Sequence, residues 1–140
     1  MHLQLRLRLP GDERSVPVVR KVLGHALGVL GVERDCLDDV ELVISEACTN
    51  VLDHARPHDE YVVQVGIDGR DCTIEVCDEG REFSAPPTAE AGILIDPDAE
   101  HGRGVQLMRA LVDDLAFTAS DDRGTVVRLR KSLTYAPAVV

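Results

Sequence analysis

The sequence predicts an α+β fold: a two-layer α/β sandwich whose sheet is mixed but largely antiparallel, with helices on one face. Three observations predict it. Leu3, Leu5, Leu7 and Leu9 alternate with Gln4, Arg6 and Arg8, the period-two pattern of a strand with one buried face. Ser15–Val29 and Arg34–Ala55 instead repeat their apolar residues at helical spacing. Asp68-Gly69 and Asp121-Asp122-Arg123-Gly124 each join two β-rich runs, so those strands pair as antiparallel hairpins. Helices gathered in one part of the order suit a sheet covered on one side.

The first strand stops at Pro10-Gly11. In the first helix the apolar set is Val18, Val19, Val22, Leu23, Ala26, Leu27 and Leu30, and Gly31 is the stop. The second helix ends ahead of Pro57, because a residue before proline avoids helical backbone. Tyr61 to Ile67 and Cys72 to Cys77 form the first hairpin. Residues 78 to 104, DEGREFSAPPTAEAGILIDPDAEHGRG, are dominated by Gly, Pro and acids. A loop of that length inside a compact domain is either functional or disordered. Val105 to Leu111 is a short helix opened by glycines, and Leu115 to Ala119 with Thr125 to Leu129 are the last strand pair. The tail, residues 132–140, is expected to fray.

A length of 140 residues suggests one domain spanning 1–140, large enough to bury a core. Aromatics make up 3% and Trp is absent, so that core must be aliphatic. A net charge of -10 argues against non-specific nucleic-acid binding, which needs a basic footprint. No apolar run is long enough to span a bilayer, and arginines interrupt the apolar residues at the start. The expectation is a cytoplasmic protein that engages no membrane. Cys36, Cys48, Cys72 and Cys77 show no CxxC spacing, which favours free, reduced, partly buried thiols over a zinc site. Cys72 and Cys77 fall on opposite faces of one strand.

The stretch SEACTNVLDHA, residues 45–55, places polar side chains in a helix that has to bury itself. On a helical wheel Leu37, Val40, Ile44, Ala47 and Val51 make one stripe that should face the sheet. Glu46, Asn50 and Asp53 fall within an arc of about 60° on the adjoining flank. Such a ridge fits a solvated face, which every amphipathic helix has. It also fits a site: an Asn oxygen suits Mg²⁺, and a Glu one turn away suits a base acting on a hydroxyl. The ridge alone does not decide between them.

Two glycine motifs follow. Asp78-Glu79-Gly80 ends a strand, with Phe83 shortly after; a carboxylate there can serve a turn or accept from an amino group. His101-Gly102-Arg103-Gly104 leads directly into Val105-Gln106-Leu107-Met108, and glycines ahead of a helix let backbone N–H groups approach phosphate. There is no P-loop motif, no Rossmann context, and none of the paired elements of an ordinary protein kinase.

In order and spacing these pieces resemble the Bergerat-fold (GHKL) ATP-binding superfamily, and within it the small bacterial anti-sigma-factor serine/threonine kinases. SEACTNVLDHA resembles the N box, DEGREF the first glycine box, HGRGVQLM the second, and Gly124-Thr125 the late Gly-Thr that closes the adenine pocket. The likeness spans nearly the whole chain. It implies ATP and Mg²⁺ as cofactors. Asn50 would ligate the metal, Glu46 would be the catalytic base, and Asp53 would belong to the nucleotide site. Asp78 would accept from the adenine amino group, Gly80 would permit close approach, and Thr125 would assist through a water. Gly102, Arg103, Gly104 and Val105 would hold phosphate. Residues 84 to 101 would be the mobile ATP lid. Implied partners are a sigma factor and a STAS-type antagonist, bound by a homodimer formed through the first strand or helix. Glu82 departs from the Gly or Pro of the pattern, and the lid is acidic at Glu90, Asp96, Asp98 and Glu100. These departures keep a second function in view, an ATP-dependent binding module that transfers nothing. A structural domain that binds no nucleotide is the third. His54 matches the closing His-Ala of the N box, with packing as its expected role.

Overall fold

In the computed structural model, which describes residues 2–54, 59–78, 102–120 and 124–137, the elements run β1 (His2–Pro10), α1 (Ser15–Val29), α2 (Arg34–His54), β2 (Glu60–Asp68), β3 (Asp71–Asp78), α3 (Gly102–Leu111), β4 (Asp114–Ser120) and β5 (Gly124–Ser132). The strands form a 5-stranded sheet in the order β1-β2-β3-β5-β4. Each pairing is antiparallel, so among the described residues the sheet is wholly antiparallel rather than mixed. Both predicted hairpins are present, as β2–β3 and β4–β5.

The alternation in β1 acts as expected. Leu9 is buried and Leu3, Leu5 and Leu7 pack against the core, while Gln4, Arg6 and Arg8 occupy the other face. β1 is an edge strand, where a closing proline costs no ladder bond. α1 ends at Gly31, whose φ of 91° is open to glycine and strained for other residues. The predicted stripe of α2, Leu37, Val40, Ile44, Ala47 and Val51, is buried against the sheet. The core is mainly aliphatic, as the composition implied, with Tyr61 and Phe117 as buried aromatic members. All four cysteines are buried thiols outside any disulfide; Cys72 belongs to the main core, whereas Cys77 lies beside Val62 on the opposite face of the sheet.

α2 lies lengthwise on the sheet. At its first turn the Cys36 thiol is 4.0 Å from the carbonyl of Ser132, the last residue of β5. Near its other end Cys48 meets the phenol of Tyr61, which stands opposite Asp78 in the β2–β3 register. Tyr61 also shares a short hydrogen bond with the hydroxyl of Ser15, so one buried polar chain ties α1, β2 and α2 together. The last turns of α2 therefore lie above the end of β3 that carries Asp78.

The tail corrects the expectation of fraying. Ser132 belongs to β5, and Leu133 is only 2% exposed. The Leu133 N–H donates to the Arg70 carbonyl at 2.6 Å, and Glu33 N–H donates to the Thr134 carbonyl at 2.7 Å. Tyr135 bridges to Val32, and its hydroxyl donates to the Gly69 carbonyl at 2.7 Å. One apolar anchor with a ladder of backbone bonds outweighs chain-end entropy through residue 136; residues 138–140 lie outside the described residues.

Candidate nucleotide site

The polar flank of α2 becomes a site because α3 packs over part of it. Asn50 is 3% exposed, Glu46 is half-buried and Asp53 is exposed, so burial falls off across the ridge. α3 fixes its position with Val105 and Met108, both buried. Its first turn brings Gly104 against the ridge. A Cβ at Gly104 would collide with Glu46 Oε2 and stand 3.9 Å from Asn50 Nδ2. Close approach therefore favours glycine here, and it sets the first turn of α3 beside a carboxylate and a carboxamide.

Asp78 and Thr125 form a second group on the same face and at the same end of the sheet. Along β3 the inward series Cys72, Ile74, Val76 closes with Asp78, and along β5 the inward residues Val127 and Leu129 are preceded by Thr125. The Thr125 N–H donates to Asp78 Oδ2 at 2.9 Å. Asp78 is 7% exposed and Thr125 1% exposed, so a carboxylate and a hydroxyl are held where apolar side chains would otherwise continue the core.

This arrangement fits a nucleotide. Asn50 Nδ2 and Thr125 Oγ1 are buried with no hydrogen-bond partner among the described residues. Buried polar atoms left unpaired are rare and costly, and they point to a ligand or an ordered water. The glycine-opened N-terminus of α3 supplies backbone N–H groups and a positive dipole end for phosphate. Among the described residues no group of three or more His, Cys, Asp or Glu could hold a metal by itself. Mg²⁺ keeps most of its waters and takes its remaining ligands from phosphates and one or two protein groups. A single Asn50 oxygen is consistent with that demand.

The structure thus brings Glu46, Asn50 and Gly104 together and, separately, Asp78 and Thr125. Gly102 and Arg103 lie in the first turn of α3, ahead of Val105. Gly80, Glu82 and the lid at 84–101 lie outside the described residues. His54 closes α2 by its backbone. Two cavities bounded by described residues lie elsewhere: one of about 580 Å³ is lined mainly by β4 and β5, another of about 710 Å³ by α1 and α2, and neither includes a candidate residue. One residue escaped the sequence reading, Lys131. Its signal was present, since it continues the inward series Val127, Leu129 at the same spacing.

An antiparallel sheet topped by an Asn-bearing helix and a glycine-opened helix defines a protein of the histidine-kinase-like ATP-binding class. The family model of the histidine kinase-like ATPase domain matches residues 9–131, and the chain belongs to that family. This bears out the resemblance read from the motifs. The chain is similar to proteins named serine-protein kinase RsbW. With that of Bacillus cereus (strain AH820) it shares 26% identity over 136 residues, covering 91% of this chain and 84% of the relative. With that of Bacillus subtilis (strain 168) it shares 25% identity over 138 residues, covering 92% and 85%. A crystal structure of the RsbU and RsbW domains of a Mycobacterium tuberculosis protein has the same fold, with a TM-score of 0.69 at 20% identity over 97% of this chain and 34% of that one.

Proposed function

We propose that the protein is an anti-sigma-factor serine/threonine protein kinase that transfers the γ-phosphate of Mg-ATP to a STAS-type antagonist and sequesters a sigma factor. The observation that carries this is the contact of Gly104 with Glu46 beside the buried Asn50. A carboxylate beside the first turn of a helix suited to phosphate supports the reading of Glu46 as the base. The similarity to serine-protein kinases RsbW supports the same activity.

The residues take distinct tasks. Asp78, steadied by the Thr125 N–H, accepts from the adenine amino group, and the Thr125 hydroxyl takes a bridging water. Gly80 lets the base approach. The backbone of Gly102 to Val105 holds phosphate oxygens, and Arg103 adds positive charge there. Asn50 would hold Mg²⁺, which supplies charge neutralisation across the phosphates. Glu46 takes the proton of the incoming hydroxyl, and Asp53 lines the outer rim of the site. Phosphoryl transfer asks the protein for positioning and electrostatics more than for covalent chemistry, and this arrangement is of that kind.

The protein acts, on this reading, as one ATP-binding domain over residues 1–140, in the cytoplasm and as a homodimer through β1 or α1. β1 is an edge of the sheet among the described residues, and an edge strand is a template for pairing with a second copy. No helix among the described residues is long and apolar enough to cross a membrane. Glu82 and the acidic lid favour one alternative, a module that binds ATP and partners without transfer. Incubation with labelled ATP, Mg²⁺ and a cognate antagonist domain decides between them. The kinase reading expects label on the antagonist from wild type and none from Glu46→Ala, with ATP binding kept in both. ATP binding without transfer by wild type rejects the kinase in favour of the module.

A further inference from the structure

α3 carries the phosphate-holding turn, yet little apolar packing holds it. Among its described residues only Val105 and Met108 are buried. The partly buried Leu111 packs on the core as well, but apolar packing is non-directional and sets the axial position of a helix of about 15 Å less sharply than a hydrogen bond does. On the Glu46 side Gly104 already lies close against the carboxylate, so a shift of the helix would displace that side chain. Directional contacts add to this packing in setting the position of the helix.

The fixings lie at its far end. Lys131, on the inward face of β5 and with a side chain 13% exposed, donates from Nζ to the Leu111 carbonyl at 2.6 Å. Leu111 is the last residue of α3, and its carbonyl is among those a helix leaves without an internal partner. The same ammonium lies 3.9 Å from Asp39 Oδ2 of α2. One cation therefore links the sheet, the C-terminus of α3 and the helix that carries Glu46 and Asn50. A positive charge at a helix C-terminus also complements the helix dipole. Just beyond, Ser132 N–H donates to Asp113 Oδ2 at 2.6 Å and Asp113 N–H to the Arg130 carbonyl at 2.9 Å, closing the clamp.

We propose that Lys131 is a positioning residue, which seats the N-terminal turn of α3 against Glu46 and Asn50 by holding the opposite end of the helix. The proposal rests on the nucleotide-binding reading above. It predicts an effect confined to the phosphate end of a bound nucleotide, because adenine recognition is assigned to Asp78 and Thr125, outside the clamp.

The experiment measures the affinity of wild type, Lys131→Met and Lys131→Arg for ATP with Mg²⁺ by calorimetry, and for adenosine by ligand-observed NMR. Lys131→Met should weaken ATP about tenfold, the scale of one charge-assisted hydrogen bond, and leave adenosine within about twofold. Lys131→Arg should recover most of the ATP affinity. Unchanged adenosine affinity certifies that the variant is folded. Should Lys131→Met fail to fold, Lys131→Gln, which keeps a donor without the charge, takes its place in the same comparison. Equal loss of ATP and adenosine affinity, or no loss of ATP affinity, overturns the positioning role. Wild type that binds neither ligand overturns the nucleotide reading itself, and this proposal with it.

Discussion

Gly104→Ala separates stability from catalysis. The added Cβ would collide with Glu46 Oε2 and stand 3.4 Å from Glu46 Cδ. Positive φ occurs at Gly31 and Gly69 and not at Gly104, so alanine brings no backbone strain. The obstacle is the tip of a flexible side chain, and Glu46 turns aside before α3 moves. Alanine gains about 1 kcal/mol over glycine inside a helix. A Glu driven off its rotamer loses about 0.5–1.5 kcal/mol. These nearly cancel, so stability should stay within about 1 kcal/mol of wild type. If Glu46 is the proton acceptor proposed above, displacing it by the order of 1 Å costs about a hundredfold in rate. Thermal unfolding and single-turnover transfer of labelled phosphate, run on the same preparation, check both halves. Transfer at the wild-type rate, or a loss of several kcal/mol in stability, refutes the assigned contact.

Three further outcomes follow from the same structure. Thr125→Val removes a buried hydroxyl that has no partner among the described residues, so stability should hold or rise by about 1 kcal/mol, while ATP affinity measured by calorimetry falls. Leu133→Ala should cost about 2–4 kcal/mol in denaturant unfolding, because the side chain is buried; a frayed tail would give no change. Burial pushes the Cys48 and Cys72 thiols up from an ordinary 9.0 to about 12. Their contribution to stability is complete below pH 9 and is lost as pH rises towards 12, because the unfolded thiols ionise first, by about 1.4 kcal/mol per pH unit for each thiol. Denaturant unfolding between pH 8 and 10.5 should show this slope, and a flat profile contradicts the burial of both.

The pattern-bearing parts of the fold were legible from sequence. Leu3 to Leu9, the stripe from Leu37 to Val51 and the turn at Asp68-Gly69 carry their periodicity or turn chemistry locally, and each element formed where expected. The site was legible only in part. The wheel placed Glu46, Asn50 and Asp53 on one ridge, but it could not show that α3 would bury Asn50 and leave Asp53 exposed, because that depends on packing between elements distant in sequence. The tail misled for the same reason: residues after Ser132 have no local pattern, and their bonds go to Gly31, Glu33, Gly69 and Arg70. Lys131 follows Val127 and Leu129 at strand spacing, and the register of β5 opposite Cys72 places it inward. Tyr61 read as a strand residue, and its hydroxyl became the link between Ser15 and Cys48.

The central claim is that the two polar groups, Glu46 with Asn50 and Asp78 with Thr125, are halves of one Mg-ATP site. Titration calorimetry of wild type and of Asp78→Asn with ATP and Mg²⁺ tests it most directly. Micromolar binding by wild type, weakened at least about tenfold by Asp78→Asn in a folded variant, is the result expected when a charge-assisted hydrogen bond to the ligand is lost. No binding by wild type, or equal binding by both, contradicts it.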